Sequence, residues 1–184
     1  MTARPPAPIT RRTRPFAPRD ADAVAALFAD YMQEIFSRPN AMTPDVLLRD
    51  GQGRRFHLML AVDRADRPVG FAAWRMTYDL HHAVAGGEVP DMFVARAFRG
   101  RALAVRLIAA VARAIRAEGG LFVKGEALQE DLARLRLVRR LAVGFPAESV
   151  YVSGRAFREL AELADADTKT LVARLPTAAM SREP

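Results

Sequence analysis

Two apolar runs, FHLMLAV beginning at Phe56 and VGFAAWRMTY beginning at Val69, are separated only by the charged stretch DRADRP. This spacing constrains the fold more than any other feature of the chain. Each run is too short for a membrane span and is rich in residues that suit a buried strand. A connection this short, with proline and aspartate in it, can join two strands only as an antiparallel hairpin. A third run, EVPDMFVAR from Glu88, follows the loop-like stretch DLHHAVAGG and is read as another strand. After it the period changes: Leu103, Leu107, Val111 and Ile115 recur every four residues between Arg101 and Glu118, and Gly119–Gly120 end the pattern as a helix stop.

The remaining segments fit around this centre. RPFAPRDADAVAALFADYMQEIF, from Arg14, reads as a short strand, a turn and a helix. Asp20 or Asp22 is the cap, and Val24, Leu27, Phe28, Tyr31 and Ile35 lie on one face. TPDVLLRDG predicts a short helix with Thr43 as N-cap, Pro44 at its first position and Gly51 beyond its end. LFVKG reads as a strand, ALQEDLARLRLVRRLAV as a helix, ESVYVSG as a strand and RAFRELAEL as a helix. The order is an antiparallel meander followed by strand–helix–strand–helix–strand. It predicts one α/β domain with a mixed, mostly antiparallel central sheet and helices on both faces, over residues 14–164.

Composition bounds the chemistry. The chain has 184 residues and no cysteine, which excludes disulfides, thiolate metal sites and a thiol nucleophile and fits a cytoplasmic setting. No secretory h-region or membrane span is read from it. The net charge is +7, and five arginines without an acid fall between Met1 and Arg19. Residues 1–13 are read as a flexible basic leader, which leaves a nucleic-acid or acidic partner open beside a plain solvated arm. Residues 165–184 are read as a loose polar tail. His81 and His82 are adjacent, so they cannot both ligate one metal well, and no carboxylate–histidine spacing supports a metal site. His57 and Trp74 are read as structural.

The segment RAFRGRALAVRL, from Arg96, brings arginines to the mouth of a helix. There, backbone N–H groups lack partners and the dipole is already positive. Such a gathering is unfavourable unless an anion neutralises it, so Arg99, Gly100, Arg101, Ala102, Leu103 and Ala104 are read as a pyrophosphate cradle. Solvated arginines flanking an ordinary helix are the plain alternative.

The run Arg99-x-x-Ala102-x-Ala104 resembles the Gln/Arg-x-x-Gly-x-Gly/Ala signature of the GNAT N-acetyltransferase superfamily. The segments MTPDVLLRDGQGRRFHLMLAV, VGFAAWRMTYD, PDMFVARAFRGRALA and VYVSGRAFRELAEL are similar, in order and spacing, to its diamine (spermidine/spermine-type) branch. The resemblance implies acetyl-CoA as acyl donor, an amine acceptor attacked directly, no metal, and a homodimer. It implies that Met92, Phe93 and Val94 line the pantetheine arm, with a backbone N–H polarising the thioester carbonyl. It also implies that Asp79 and Asp91 recognise the amine.

The chain departs from that pattern at the catalytic positions. Pro90 stands where the branch has a glutamate, and Arg140, counted back from Gly144, where it has a tyrosine. Ala102 replaces the first glycine of the turn. Glu88, placed by strand alternation on the face of Pro90 and opposite Asp91, is read as a substitute base acting through water, with a plain solvated strand-end carboxylate as the alternative. Tyr78 and Tyr151 are the candidate acids for the leaving thiolate. These departures leave two further readings beside an active N-acetyltransferase. One is a catalytically impaired module that binds CoA or a partner; the other is nucleic-acid-linked acylation through the basic leader.

Overall fold

The structure is a computed structural model and describes residues 12–100, 102–125, 154–164 and 167–174. The chain divides into two compact units, Met1–Arg140 and Leu141–Pro184. The first contains a five-stranded sheet in the order β1-β2-β3-β4-β5. Its strands are β1 (Arg12–Pro15), β2 (His57–Val62), β3 (Pro68–Asp79), β4 (Val84–Val94) and β5 (Val123–Gly125). The first four pair antiparallel and β5 joins β4 in parallel, giving the expected mixed sheet.

The hairpin closes as its sequence requires. Asp63 turns the chain by accepting from the N–H groups of Ala65 (2.8 Å) and Arg67 (3.0 Å). Strand alternation then sorts the side chains into two cores. Leu58, Leu60, Val62, Phe71, Ala73 and Phe93 meet helices α1 (Ala21–Tyr31) and α2 (Pro44–Asp50) on one face. Met59, Ala61, Ala72, Trp74, Val89 and Val94 meet helix α3 (Leu103–Ala117) on the other. Within α3, Leu103, Leu107, Val111 and Ile115 are each no more than 2% exposed. Each such side chain contributes roughly 1.5–3 kcal/mol by leaving water. Helix α2 has the expected start and stop: Thr43 Oγ1 accepts from Val46 N–H at 3.3 Å, and Gly51 N–H donates to the Leu47 carbonyl at 2.9 Å.

Three expectations are corrected. The loop DLHHAVAGG is mostly strand: β3 runs through Asp79, β4 starts at Val84, and only Leu80–Ala83 turns. Gly86 and Gly87 are there for packing, since a Cβ on Gly86 would collide with the Phe122 ring and one on Gly87 with Ile115. Neither Asp20 nor Asp22 caps α1 through its side chain. Asp20 is buried and accepts instead from Arg14 and from Ala17 N–H. Ile35 leaves the apolar face because a π-helical turn, Met32–Phe36, follows α1; its wider winding leaves Ile35 40% and Phe36 45% exposed.

Within the second unit the described residues form two helices, Gly154–Glu162 and Thr168–Arg174. The latter lies where the sequence suggests a loose tail. The helix expected over ALQEDLARLRLVRRLAV, the strand expected over ESVYVSG up to Ser153, and residues 1–11 of the expected 1–13 leader lie outside the described residues. Arg12 and Thr13 are not a flexible leader, because they pair with Val62 and Ala61 in β1. No described helix is long and apolar enough to cross a membrane.

Candidate active site

The site is created by a fault in strand pairing. Ala73 faces Asp91 and Arg75 faces Glu88, so two steps on β3 span three on β4. This one-residue bulge at Val89–Pro90 resets the alternation beyond it. Simple alternation sets Glu88 and Asp91 on opposite faces; in the structure both lie on the α1 face. Asp91 accepts from the α1 residue Tyr31, and Glu88 accepts from Arg75 Nε at 2.8 Å. The bulge also ends the pairing with β5, which contacts β4 only over Gly87–Val89. Beyond it, Asp91–Val94 keeps β3 on one side and, among the described residues, has no strand on the other. Met92 and Val94 pack toward α3 and Phe93 toward α1.

The chain leaves this open strand edge through a short 3-10 turn, Arg96–Phe98, and reaches α3 through two left-handed residues, Gly100 (φ 74°) and Ala102 (φ 58°). A Cβ on Gly100 would meet nothing within 4 Å. The glycine therefore serves the backbone angle rather than making room. Ala102 holds the same region despite its methyl group, a conformation that costs an L-residue roughly 1–2 kcal/mol. It occupies the N-cap of α3 with no capping side chain, and the first turn carries no acid. The first N–H groups of the helix, on Leu103, Ala104 and Val105, thus have no acceptor within the helix. Backbone strain kept beside an uncapped positive helix end is the expected form of an anion receptor.

Arg99 differs from its expected role as a free phosphate ligand. Its guanidinium donates to both carboxylate oxygens of Glu34 (2.6 and 2.9 Å), and its Nε donates to the Val94 carbonyl at 2.8 Å. It also lies 5.3 Å from the centre of the Phe93 ring. The Arg99 hydrogen bond holds Glu34 below the usual carboxylate range. Part of the charge gathered at the helix mouth is therefore balanced from within the protein. Arg101, Arg140 and Tyr151 lie outside the described residues.

Asp91 is half-buried and accepts from Tyr31 Oη at 2.6 Å. Burial, and then the bond to Asp91, push the Tyr31 phenol up from its ordinary pKa, so it remains a proton donor at neutral pH. Sequence reasoning placed Tyr31 only on the helix face. The available signal was its hydroxyl, which needs a partner when the ring is carried inward.

Tyr78 and Asp79 are not brought to this place. They sit at the opposite end of the β3–β4 hairpin, with Asp79 six residues from Ala73 along β3, about 20 Å at the rise of a strand. Tyr78 is exposed. Asp79 is occupied by the N–H groups of His81 and His82 and by His82 Nδ1 at 2.8 Å. His57 stacks on the buried Trp74 with ring centres 4.3 Å apart. No cluster of three metal-ligating side chains occurs among the described residues.

Known proteins share this fold. The fold is similar to a ribosomal-protein-alanine N-acetyltransferase from Brucella melitensis biovar Abortus 2308, with TM-score 0.63, 22% identity and coverage of 77% of this chain and 98% of that one. It is similar to a probable acetyltransferase (TM-score 0.66, 16% identity, 77% and 98% covered). It is also similar to an aminoglycoside acetyltransferase from an uncultured soil metagenomic sample (TM-score 0.58, 17% identity, 76% and 92% covered). No curated protein matches the sequence. The acetyltransferase (GNAT) family profile matches residues 21–142, most of the chain and the whole of the α1-to-α3 framework. The chain therefore belongs to the acetyltransferase (GNAT) family, enzymes that take acetyl-CoA as their acyl donor.

Proposed function

We propose that the protein transfers the acetyl group of acetyl-CoA directly to a primary amine. One observation carries this reading: an uncapped helix N-terminus, reached through two left-handed residues, directly follows an open strand edge. The donor supplies an acetyl thioester. The N–H groups of Leu103, Ala104 and Val105 suit its pyrophosphate, and the left-handed geometry at Gly100 and Ala102 fits them to it. The backbone of Met92–Val94 suits the amides of the pantetheine arm, with one N–H directed to the carbonyl oxygen where negative charge develops.

The α1 face of β4 receives the amine, and Asp91 is its anchor. With no cysteine in the chain, no acetylated thiol of the enzyme can intervene. Joint positioning of donor and acceptor can supply roughly 7–11 kcal/mol of barrier reduction. Transfer is therefore compatible with Pro90 at a position that cannot titrate. Titration calorimetry with acetyl-CoA in low-phosphate buffer, followed by thiol-release assays over a panel of amines, tests the reading. Saturable binding and turnover are expected. The absence of any heat at millimolar donor would overturn it.

A further inference from the structure

Three carboxylates frame the acceptor side of β4, and they do not present the same free charge. Glu34, on the π-helical turn, is held at both oxygens by Arg99. Glu88 is held by Arg75 at 2.8 Å. Asp91 has only a neutral partner, the Tyr31 phenol at 2.6 Å, and no cation among the described residues. Among the described residues the acceptor face thus carries one negative charge without a cationic partner, flanked by two arginines whose own partners lie on the same face.

One side of that charge is apolar: Tyr31 is half-buried and Phe36 is exposed beside it, while Phe71 and Phe93 back the Tyr31 ring from within the core. The Tyr31 ring stands edge-on to Phe36 (5.6 Å) and Phe71 (5.9 Å) and is tilted against Phe93 (5.7 Å). Ile35 and Phe36 are exposed above it because the π-helical turn carries them out of the core. Aromatic faces near a single carboxylate favour an ammonium group attached to an apolar body. A second ammonium a few carbon atoms away would find only carboxylates already neutralised by Arg75 or Arg99, so its lost hydration would go uncompensated.

The geometry points to a monocationic primary amine with an apolar, arylalkyl-type body as the acceptor. Asp91 binds its ammonium group, which gives one proton to water before the neutral nitrogen attacks. As the C–N bond forms the thioester C–S bond breaks, and CoA leaves as the thiol with the nitrogen's second proton. Tyr31 is a positioning residue that fixes the Asp91 carboxylate. This assignment rests on the acetyl-transfer reading and narrows it. It also argues against carrying over to this chain a polyamine or an aminoglycoside, both of which present several positive charges.

The experiment compares phenethylamine, butylamine, putrescine and spermidine as acceptors at saturating acetyl-CoA, with calorimetric binding of the donor measured in parallel. Phenethylamine should exceed spermidine in kcat/KM by about tenfold or more, the factor expected for one misplaced charge. Asp91→Asn should raise the KM for phenethylamine about tenfold while leaving the donor Kd unchanged. Tyr31→Phe should raise KM more than it lowers kcat. Arg75→Gln removes a largely exposed arginine and frees Glu88, so it should shift the preference toward putrescine by about tenfold. A wild-type preference for spermidine, or an Arg75→Gln enzyme with unchanged preference, overturns the assignment while donor binding keeps acetyl transfer standing. Absent donor binding removes both.

Discussion

Helix α1 is fastened at each end by an arginine that grips a carboxylate with two nitrogens, yet the two fastenings differ in kind. At its start, Arg14 donates to Asp20 at 2.6 and 2.9 Å and to Asp66 at 3.0 Å, with side chains only 14% (Arg14) and 4% (Asp20) exposed. Just past its end, Arg99 grips Glu34 with the same two distances, 2.6 and 2.9 Å, but the side chains are 41% and 38% exposed. The bonding is nearly identical and the solvent is not. Stranding one member of a buried pair leaves a charge without water or partner, whereas an exposed pair dissolves at little cost. The first fastening therefore belongs to the architecture. The second sits beside the turn that leads into α3, where solvent already reaches it.

The sharpest way to break this contrast is Arg14→Met. It should destabilise the protein by about 3–5 kcal/mol, the cost of orphaning a buried partner, and lower Tm by roughly 10 °C. Acetyl-CoA affinity, measured by calorimetry below the transition, should be unaffected. The same end of the helix predicts a pH dependence. Burial opposes the charge of Asp20, but the hydrogen bonds from Arg14 and Ala17 outweigh it and hold the carboxyl below its ordinary 3.8. Its folded pKa is depressed, so its contribution is present above that value and lost as pH falls through the lower folded pKa. Asp20→Asn should flatten the acid limb of stability below about pH 4, read by urea unfolding across the pH series.

Arg99→Glu tests the other end. Stability should change by about 1 kcal/mol or less, while acetyl-CoA binding weakens about tenfold as a negative charge replaces a positive one beside the pyrophosphate turn. A loss of stability as large as that of Arg14→Met would erase the distinction between the two ends. Ala102→Gly has the smallest expected effect. Relief of the left-handed alanine is partly offset by a more flexible unfolded chain, leaving a gain of up to about 1 kcal/mol in urea midpoint measurements. Donor affinity should tighten slightly as the methyl group leaves the turn.

What the sequence reveals and conceals follows from the range of each interaction. The β2–β3 hairpin, the Thr43–Pro44–Gly51 punctuation of α2 and the four-residue stripe of α3 are local patterns, and each is legible. The signature residues Arg99, Ala102 and Ala104 were legible as well, and they fall at the start of α3. The grip of Arg99 on Glu34 joins residues 65 positions apart, and the Tyr31–Asp91 bond joins residues 60 apart. No spacing rule reaches that far. Gly86 and Gly87 read as a loop because glycine marks turns more often than it marks a close approach to a sheet, here of the Phe122 ring and of Ile115. The bulge has no compositional trace beyond Pro90, and missing it reversed the facing of every β4 side chain on one side of it.

Pro90 has a second consequence. A strand flank unpaired among the described residues, such as that of Asp91–Val94, is an invitation to any stray polypeptide, because extended chains of any sequence can zip onto exposed donors and acceptors. Proline lacks the N–H such a zipper needs, and the kink it shares with Val89 bends the flank away from a straight template. The residue that forgoes proton chemistry thus guards the bare stretch of β4 against pairing with stray strands.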